Sequence, residues 1–275
     1  ATINLVQCAM IIAGIGTLVQ LYPHFKIGSG LPIVMGISFT FVSALCTIAA
    51  SRGYAVIVGT IIVGGCIEGI LGLFAKYWRK IISPIVAACV VTAIGFSLLT
   101  VGANSFGGGN GAEDFGSWKH LLVGTITLVC CIAFNLLAKS YFRRLSVLVG
   151  LVVGYIVACF LGIVDFSGLA GHSIISLPTP LPVNPQFEIG PIITVTLIFL
   201  VSATETIGDT TAVSITGLGR DVTDDEISGS IACDGFVSAL SGVFGCLPIT
   251  SFSQNVGLVA MTKVVNRFVI ATGAV

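Results

Sequence analysis

The chain runs in long apolar stretches of nearly constant length, separated by short polar interruptions. Mostly apolar segments extend over Thr2–Leu21, Leu31–Ala50, Tyr54–Ala75, Ile81–Ala103, Leu121–Ala138, Leu145–Val164, Gly190–Thr216 and Ile227–Cys246. A shorter one follows at Ser253–Met261, and Phe268–Val275 opens another. About 20 such residues are what a helix needs to cross the hydrocarbon of a bilayer. Backbone polar groups in lipid must be paired within the protein, which a helix does by itself. The runs lack the period of two that barrel strands carry. The pattern predicts an all-α polytopic membrane protein.

Composition narrows the function. Of the 275 residues, 55% are hydrophobic and 9% are charged, against about 25% charged in a soluble domain. A water-facing surface cannot be built from so few charges, which excludes a soluble enzyme and a disordered chain. Twelve Lys and Arg balance twelve Asp and Glu, so no basic field exists for nucleic acid. The nine cysteines all lie in apolar runs, without a metal-ligand spacing, and read as small apolar side chains. Ala1–Leu21 has no basic leading segment and is not expected to be a signal peptide. The chain does not begin with Met, so it is expected to be part of a longer protein.

Loop charge gives the orientation. Lys26, Lys76, Arg79, Lys80, Lys139, Arg143, Arg144, Arg220, Lys263 and Arg267 fall on one side, and only Arg52 and Lys119 on the other. The positive-inside rule makes the first side cytoplasmic, including the Lys76–Lys80 and Lys139–Arg144 loops. The Gly107–Gly111 and Pro178–Pro185 loops then lie outside. Neither Gly107–Gly111 nor Gly217-Leu218-Gly219 completes a phosphate or dinucleotide fingerprint, and both read as loop. Gly65-x-x-x-Gly69 and Gly150-x-x-x-Gly154 are spaced for close helix packing. His24, His120 and His172 sit at span ends or in loops and are expected to be solvated or interfacial.

Ionisable groups inside spans are costly, and four acids qualify as functional candidates: Glu68, Glu205, Asp209 and Asp234. Glu205 and Asp209 are four apart, on one helix face, among Thr204, Thr206, Thr210 and Thr211. That face is expected to line a substrate or ion site. Glu68, among Gly64, Gly65 and Gly69, reads equally as packing or as function. A second polar cluster, Pro248 to Gly257, interrupts a span with Thr250, Ser251, Ser253, Gln254 and Asn255. A broken helix is tolerable at membrane depth where it lines a cavity. Leu31-Pro32-Ile33 followed by Ser38-Phe39 resembles Leu247-Pro248-Ile249 followed by Ser251-Phe252. Interrupted spans in two halves point to an inverted-repeat transporter with a midplane site.

Several of these residues resemble the nucleobase–ascorbate transporter family. Gln254-Asn255-Val256-Gly257 through Thr262-Lys263 is similar to the family signature, and Glu205-Thr206-Ile207-Gly208-Asp209 to its Glu-x-x-Gly-Asp motif. Asp234 falls where the family has an acid in its ninth span, and Ser38-Phe39 resembles the strand-like break of its third. The similarity is greatest to bacterial xanthine and uric acid permeases. It implies fourteen spans as two inverted sevens, with core and gate domains, strand-like breaks in the third and tenth spans, and often a homodimer. This chain would cover about the second to tenth spans. Residues 1–138 would hold mainly first-repeat core and first gate spans, 139–189 the end of that repeat and an external loop, and 190–275 second-repeat core spans with the start of a gate span.

The resemblance also assigns roles. Gln254 at the first signature position implies a purine, and Glu205 would accept hydrogen bonds from ring N–H groups. Phe39 would lie against the ring, with Ser38 and Ser253 completing the polar contacts. Asp209 and Asn255 would shape the site, while Asp234 would help to couple proton movement. The expected function is import of xanthine and/or uric acid across the cell membrane by proton symport, without a cofactor; sodium is the alternative coupling ion. Uracil or another nucleobase, a membrane enzyme using Glu205 and Asp209 as acid and base, and a non-transporting receptor are the other readings.

Overall fold

The computed structural model describes residues 2–78, 84–109, 112, 114–138, 145–164 and 181–275. Arg79, Lys80, Gly111, Lys139, Arg143, Arg144, His172 and the first part of the Pro178–Pro185 loop lie outside the described residues. Among the described residues, eleven α-helices and two short strands follow in order. They are α1 (Thr2–Leu21), β1 (Met35–Ile37), α2 (Val42–Arg52), α3 (Tyr54–Leu73), α4 (Ala75–Trp78), α5 (Pro84–Phe106), α6 (Trp118–Leu137), α7 (Ser146–Phe160), α8 (Ile189–Val213), α9 (Asp224–Val243), β2 (Ile249–Ser251), α10 (Ser253–Thr262) and α11 (Arg267–Ala274). Tyr54–Leu73, Trp118–Leu137 and Ile189–Leu218 are long and apolar enough to cross a membrane. The protein is an all-α membrane protein with one two-stranded ribbon among the described residues.

The second predicted span requires a correction. Leu31–Ala50 is not one helix: β1 and a 3-10 turn (Phe39–Phe41) occupy its first half, and α2 begins only at Val42. Pro32 lacks a backbone donor, and Gly36 admits the Phe252 ring where a Cβ would come within 2.8 Å of it. Span seven also changes character near its end, where α8 gives way at Ser214–Leu218 to a π turn closed by Gly219 in the left-handed region.

Contacts divide the chain into residues 1–94 with 175–275, and residues 95–174. In the first unit, β1 and β2 pair antiparallel with Met35 opposite Ser251, Gly36 opposite Thr250 and Ile37 opposite Ile249. Ser38 N–H donates to Pro248 O and Phe252 N–H to Val34 O, both at 3.0 Å, which lengthens the ladder by one bond at each end. The outer edges are held by hydroxyls from α1 and α9. Met35 N–H donates to Thr17 Oγ1 (3.0 Å), and Ile249 N–H donates to Ser238 Oγ (3.1 Å). A non-helical ribbon in a membrane bundle needs such partners, because an unpaired buried amide is costly.

Helices α3 and α9 pack backbone against backbone. A Cβ on Gly65 would meet Gly235 O and Ala239 N, and one on Gly72 would meet the Ala232 backbone. This is the close packing that the Gly65/Gly69 spacing predicts. Helix α9 starts with a capping box, Thr223 accepting from the Glu226 N–H while the Glu226 carboxylate accepts from the Thr223 N–H. Arg220 grips the same carboxylate and holds it below the usual glutamate range. In the second unit, Gly150 and Gly154 of α7 face Cys131 and Thr127 of α6. Helix α6 buries none of its residues, and Leu128, Val129, Ile132, Leu136 and Leu137 stand exposed, as a lipid-facing helix requires. At its start His120 bonds Asp114 (3.0 Å), which holds that exposed carboxyl below its ordinary value.

Candidate functional site

Three elements of the first unit converge on Glu205. Its position on α8 sets it opposite the starts of the two interrupted spans, and it is only 7% exposed. Oε2 accepts from Thr40 Oγ1 at 2.9 Å, in the turn after β1. Oε1 accepts from Ser253 Oγ at 2.7 Å, at the first residue of α10 after β2. One carboxylate thus ties together both broken spans. Each oxygen keeps a further lone pair after these bonds.

The neighbours of those two hydroxyls are open. Phe39, next to Thr40, is 45% exposed, and Gln254, next to Ser253, is exposed as well. The chain neighbours of the two hydroxyl donors to Glu205 are thus an exposed aromatic ring and an exposed amide, which carries donors and an acceptor. That set matches a planar ring with N–H and C=O groups on its edges.

Ser253 also reaches the second acid of the face, with its Oγ 2.8 Å from Asp209 Oδ2. A hydroxyl carries one hydrogen and can donate to only one of the two carboxylates. If both were ionised, one oxygen would face Ser253 Oγ with no hydrogen between them. The geometry is satisfied when one acid is protonated and donates to Ser253, which donates to the other.

Asp234 lies deeper, fully buried on α9. It accepts from Thr206 Oγ1 (2.6 Å), Ser251 N–H (3.0 Å) and Ser251 Oγ (3.0 Å). It therefore fastens β2 to α8 and α9 and does not open onto the exposed residues. Asn255 points away from Glu205 as well, its Nδ2 donating to Pro32 O at 3.1 Å. Ser38 is buried at the end of β1, where its N–H belongs to the ladder and its side chain forms no cap. Of the sequence candidates, Glu205, Asp209 and Ser253 are bonded into one cluster, with Phe39 and Gln254 at its edge.

The sequence reading missed Thr40, Thr17 and Gln20. Gln20, fully buried on α1, donates to Ser230 Oγ (2.5 Å) and accepts from Ser29 N–H (3.3 Å). Thr210 of α8 donates to the same Ser230 Oγ at 3.0 Å. The signal was available: polar residues inside apolar runs. They stand singly in their runs, apart from the acids and from the Pro248–Gly257 cluster that drew the sequence candidates.

These observations define a class, a helical membrane protein whose two interrupted spans meet on a buried carboxylate. The Xan_ur_permease family model, described as a permease family, matches residues 1–275. The chain belongs to this family, the nucleobase–ascorbate transporter family. It is 34% identical over 290 aligned residues to the xanthine permease XanQ of Escherichia coli (strain K12), covering 100% of this chain and 62% of that protein. The uric acid permease PucJ of Bacillus subtilis (strain 168) is 33% identical, with 98% of this chain and 60% of the relative covered. The nucleobase transporter PlUacP of Paenibacillus larvae is 34% identical, with 98% and 62% covered. The chain spans 60–62% of the length of these relatives. Family and relatives are permeases, which points away from an enzyme.

Proposed function

We propose that the full-length protein imports a purine nucleobase, xanthine and/or uric acid, across the cell membrane by proton symport. The observation that carries this reading is the Glu205 clamp: Thr40 and Ser253 hold its two oxygens, and the next residues along the chain to these two are the exposed Phe39 and Gln254. The names of the similar permeases support a purine. In this reading the ring lies against Phe39, Gln254 pairs with one edge, and Glu205 accepts from a ring N–H through a free lone pair. Asp209 and Ser253 hold the coupled proton beside the substrate. Asp234 and Asn255 act at one remove, by fixing β2 and the start of α10. One charge moved across 100 mV is worth about 2.3 kcal/mol, enough for roughly a fifty-fold concentration ratio.

The antiparallel pairing of two Pro-led strands, each followed by a helix, supports the inverted-repeat reading. In that reading the chain covers about the second to tenth spans of two sevens, with the residue divisions given above. The basic loops face the cytoplasm, and two copies associate as a homodimer.

Substitution of Gln254 tests the purine assignment. An amide donates and accepts, whereas an ionised glutamate only accepts, so Gln254→Glu sets a carboxylate against a purine carbonyl. Leaving that pair unmatched costs about 1–3 kcal/mol, and the expected loss of xanthine or urate affinity in the full-length protein is at least about tenfold. Parent-like affinity in a variant that reaches the membrane would remove Gln254 from the site.

A further inference from the structure

Glu68 is an acid of the bundle that the substrate site does not use. It sits on α3, is 1% exposed, and neither carboxyl oxygen has a hydrogen-bond partner. The helices around it are close: Gly235 of α9 lies on the backbone of Glu68 and Gly69, and Phe199 of α8 covers Gly64 one turn away. A second unmatched group, the Ser202 hydroxyl, stands on the face of α8 that carries Phe199 and Thr206.

The charged groups that act on Glu68 are acids, Asp234 from α9 and Glu205 from α8, with Asp209 one turn beyond Glu205. The ion pairs of the described residues are Arg52–Glu188, His120–Asp114 and Arg220–Glu226, and none of them includes Glu68. An ionised carboxylate buried without a protein donor or a cation, and beside two further acids, is far more costly than the neutral acid. The remaining arrangement is a carboxylic acid that carries its own proton.

We propose that Glu68 is a proton-binding site of the transport cycle, a buried carboxylic acid that releases its proton to water and regains it as the charge on Glu205 changes. The proposal rests on the proton-symport reading and adds to it a second, deeper site for the coupled cation. A purely structural Glu68 would keep its proton throughout. A proton-carrying one must lose and regain it with substrate.

The test uses the full-length protein in sealed lipid vesicles, as parent, Glu68→Gln and Glu68→Asp. The infrared spectrum of the parent should contain the C=O stretch of a protonated carboxyl without hydrogen bonds. That band should be absent in Glu68→Gln, displaced in Glu68→Asp, and altered in the parent when xanthine is added. Glutamine matches the shape of the neutral acid, so Glu68→Gln should bind labelled xanthine as the parent does. Its steady-state accumulation should fall by roughly fifty-fold, the ratio one charge crossing 100 mV supports. A parent without the band, a band indifferent to xanthine, or a Glu68→Gln variant that accumulates xanthine at the parent level would each overturn the proposal. A parent that shows the band but never accumulates purine would contradict the transport reading instead, and with it the role of Glu68 in transport.

Discussion

Ser253 holds one hydrogen between two acids, 2.7 Å from Glu205 and 2.8 Å from Asp209. The chemistry of the site depends on that count, because protonating either acid reverses the direction in which the hydroxyl points. Ser253→Ala removes the bridge and leaves a partly buried carboxyl oxygen without its donor, a loss of about 1–3 kcal/mol. We expect the variant to reach the membrane, bind xanthine at least about tenfold more weakly, and lose the pH dependence of that binding. Ser253→Thr keeps the hydroxyl and should recover most of both. Binding to the alanine variant with the parent's affinity and pH profile would mean that the hydroxyl does not connect the two acids. The acids themselves were legible in the sequence, since a carboxyl within an apolar run is conspicuous. Their hydroxyl partners were less so. Thr40 is an ordinary residue for a helix start, and its value comes from a contact 165 positions away.

At the scale of elements, the helices followed from run length, and Tyr54–Leu73 and Trp118–Leu137 begin or end within a few residues of the apolar limits. The broken spans were harder to read, because β1 and α2 share one apolar run and hydropathy does not distinguish strand from helix in lipid. Pro32 and Pro248 marked that a break occurs. The register Met35 opposite Ser251 depends on Thr17, Ser238 and Asp234, which lie far away in sequence. The two breaks also align differently from their sequence similarity. Counted from the strand ends, Phe39 and Ser253 are equivalent, both following the residue that leaves the ribbon. The α3–α9 seam makes a separate demand. A Cβ at Gly72 would strike the backbone of Ala232, which cannot swing aside as a side chain does. Gly72→Ala should therefore cost about 1–3 kcal/mol through overpacking. The measurement is the thermal midpoint of the purified full-length protein; an unchanged midpoint would show that the two helices have room to separate there.

At the scale of the molecule, the four acids Glu68, Glu205, Asp209 and Asp234, the ribbon and the exposed residues Phe39 and Gln254 all belong to one unit, residues 1–94 with 175–275. Chain segments far apart in sequence thus supply one site: Glu205 from α8, Thr40 from the first break and Ser253 from the second. In the proposed function, this cluster holds a small polar ring within the bundle and a proton on its acids supplies the coupling. The central claim is that purine and proton move together. The most direct measurement is accumulation of labelled xanthine, urate and uracil by cells expressing the full-length protein, with and without a protonophore, followed by chemical identification of the label inside. The account predicts that xanthine or urate, and not uracil, accumulates unaltered above its outside concentration and that the protonophore abolishes the gradient. Accumulation that survives the protonophore, or label recovered as a different compound in cells that lack purine-metabolising enzymes, would contradict it.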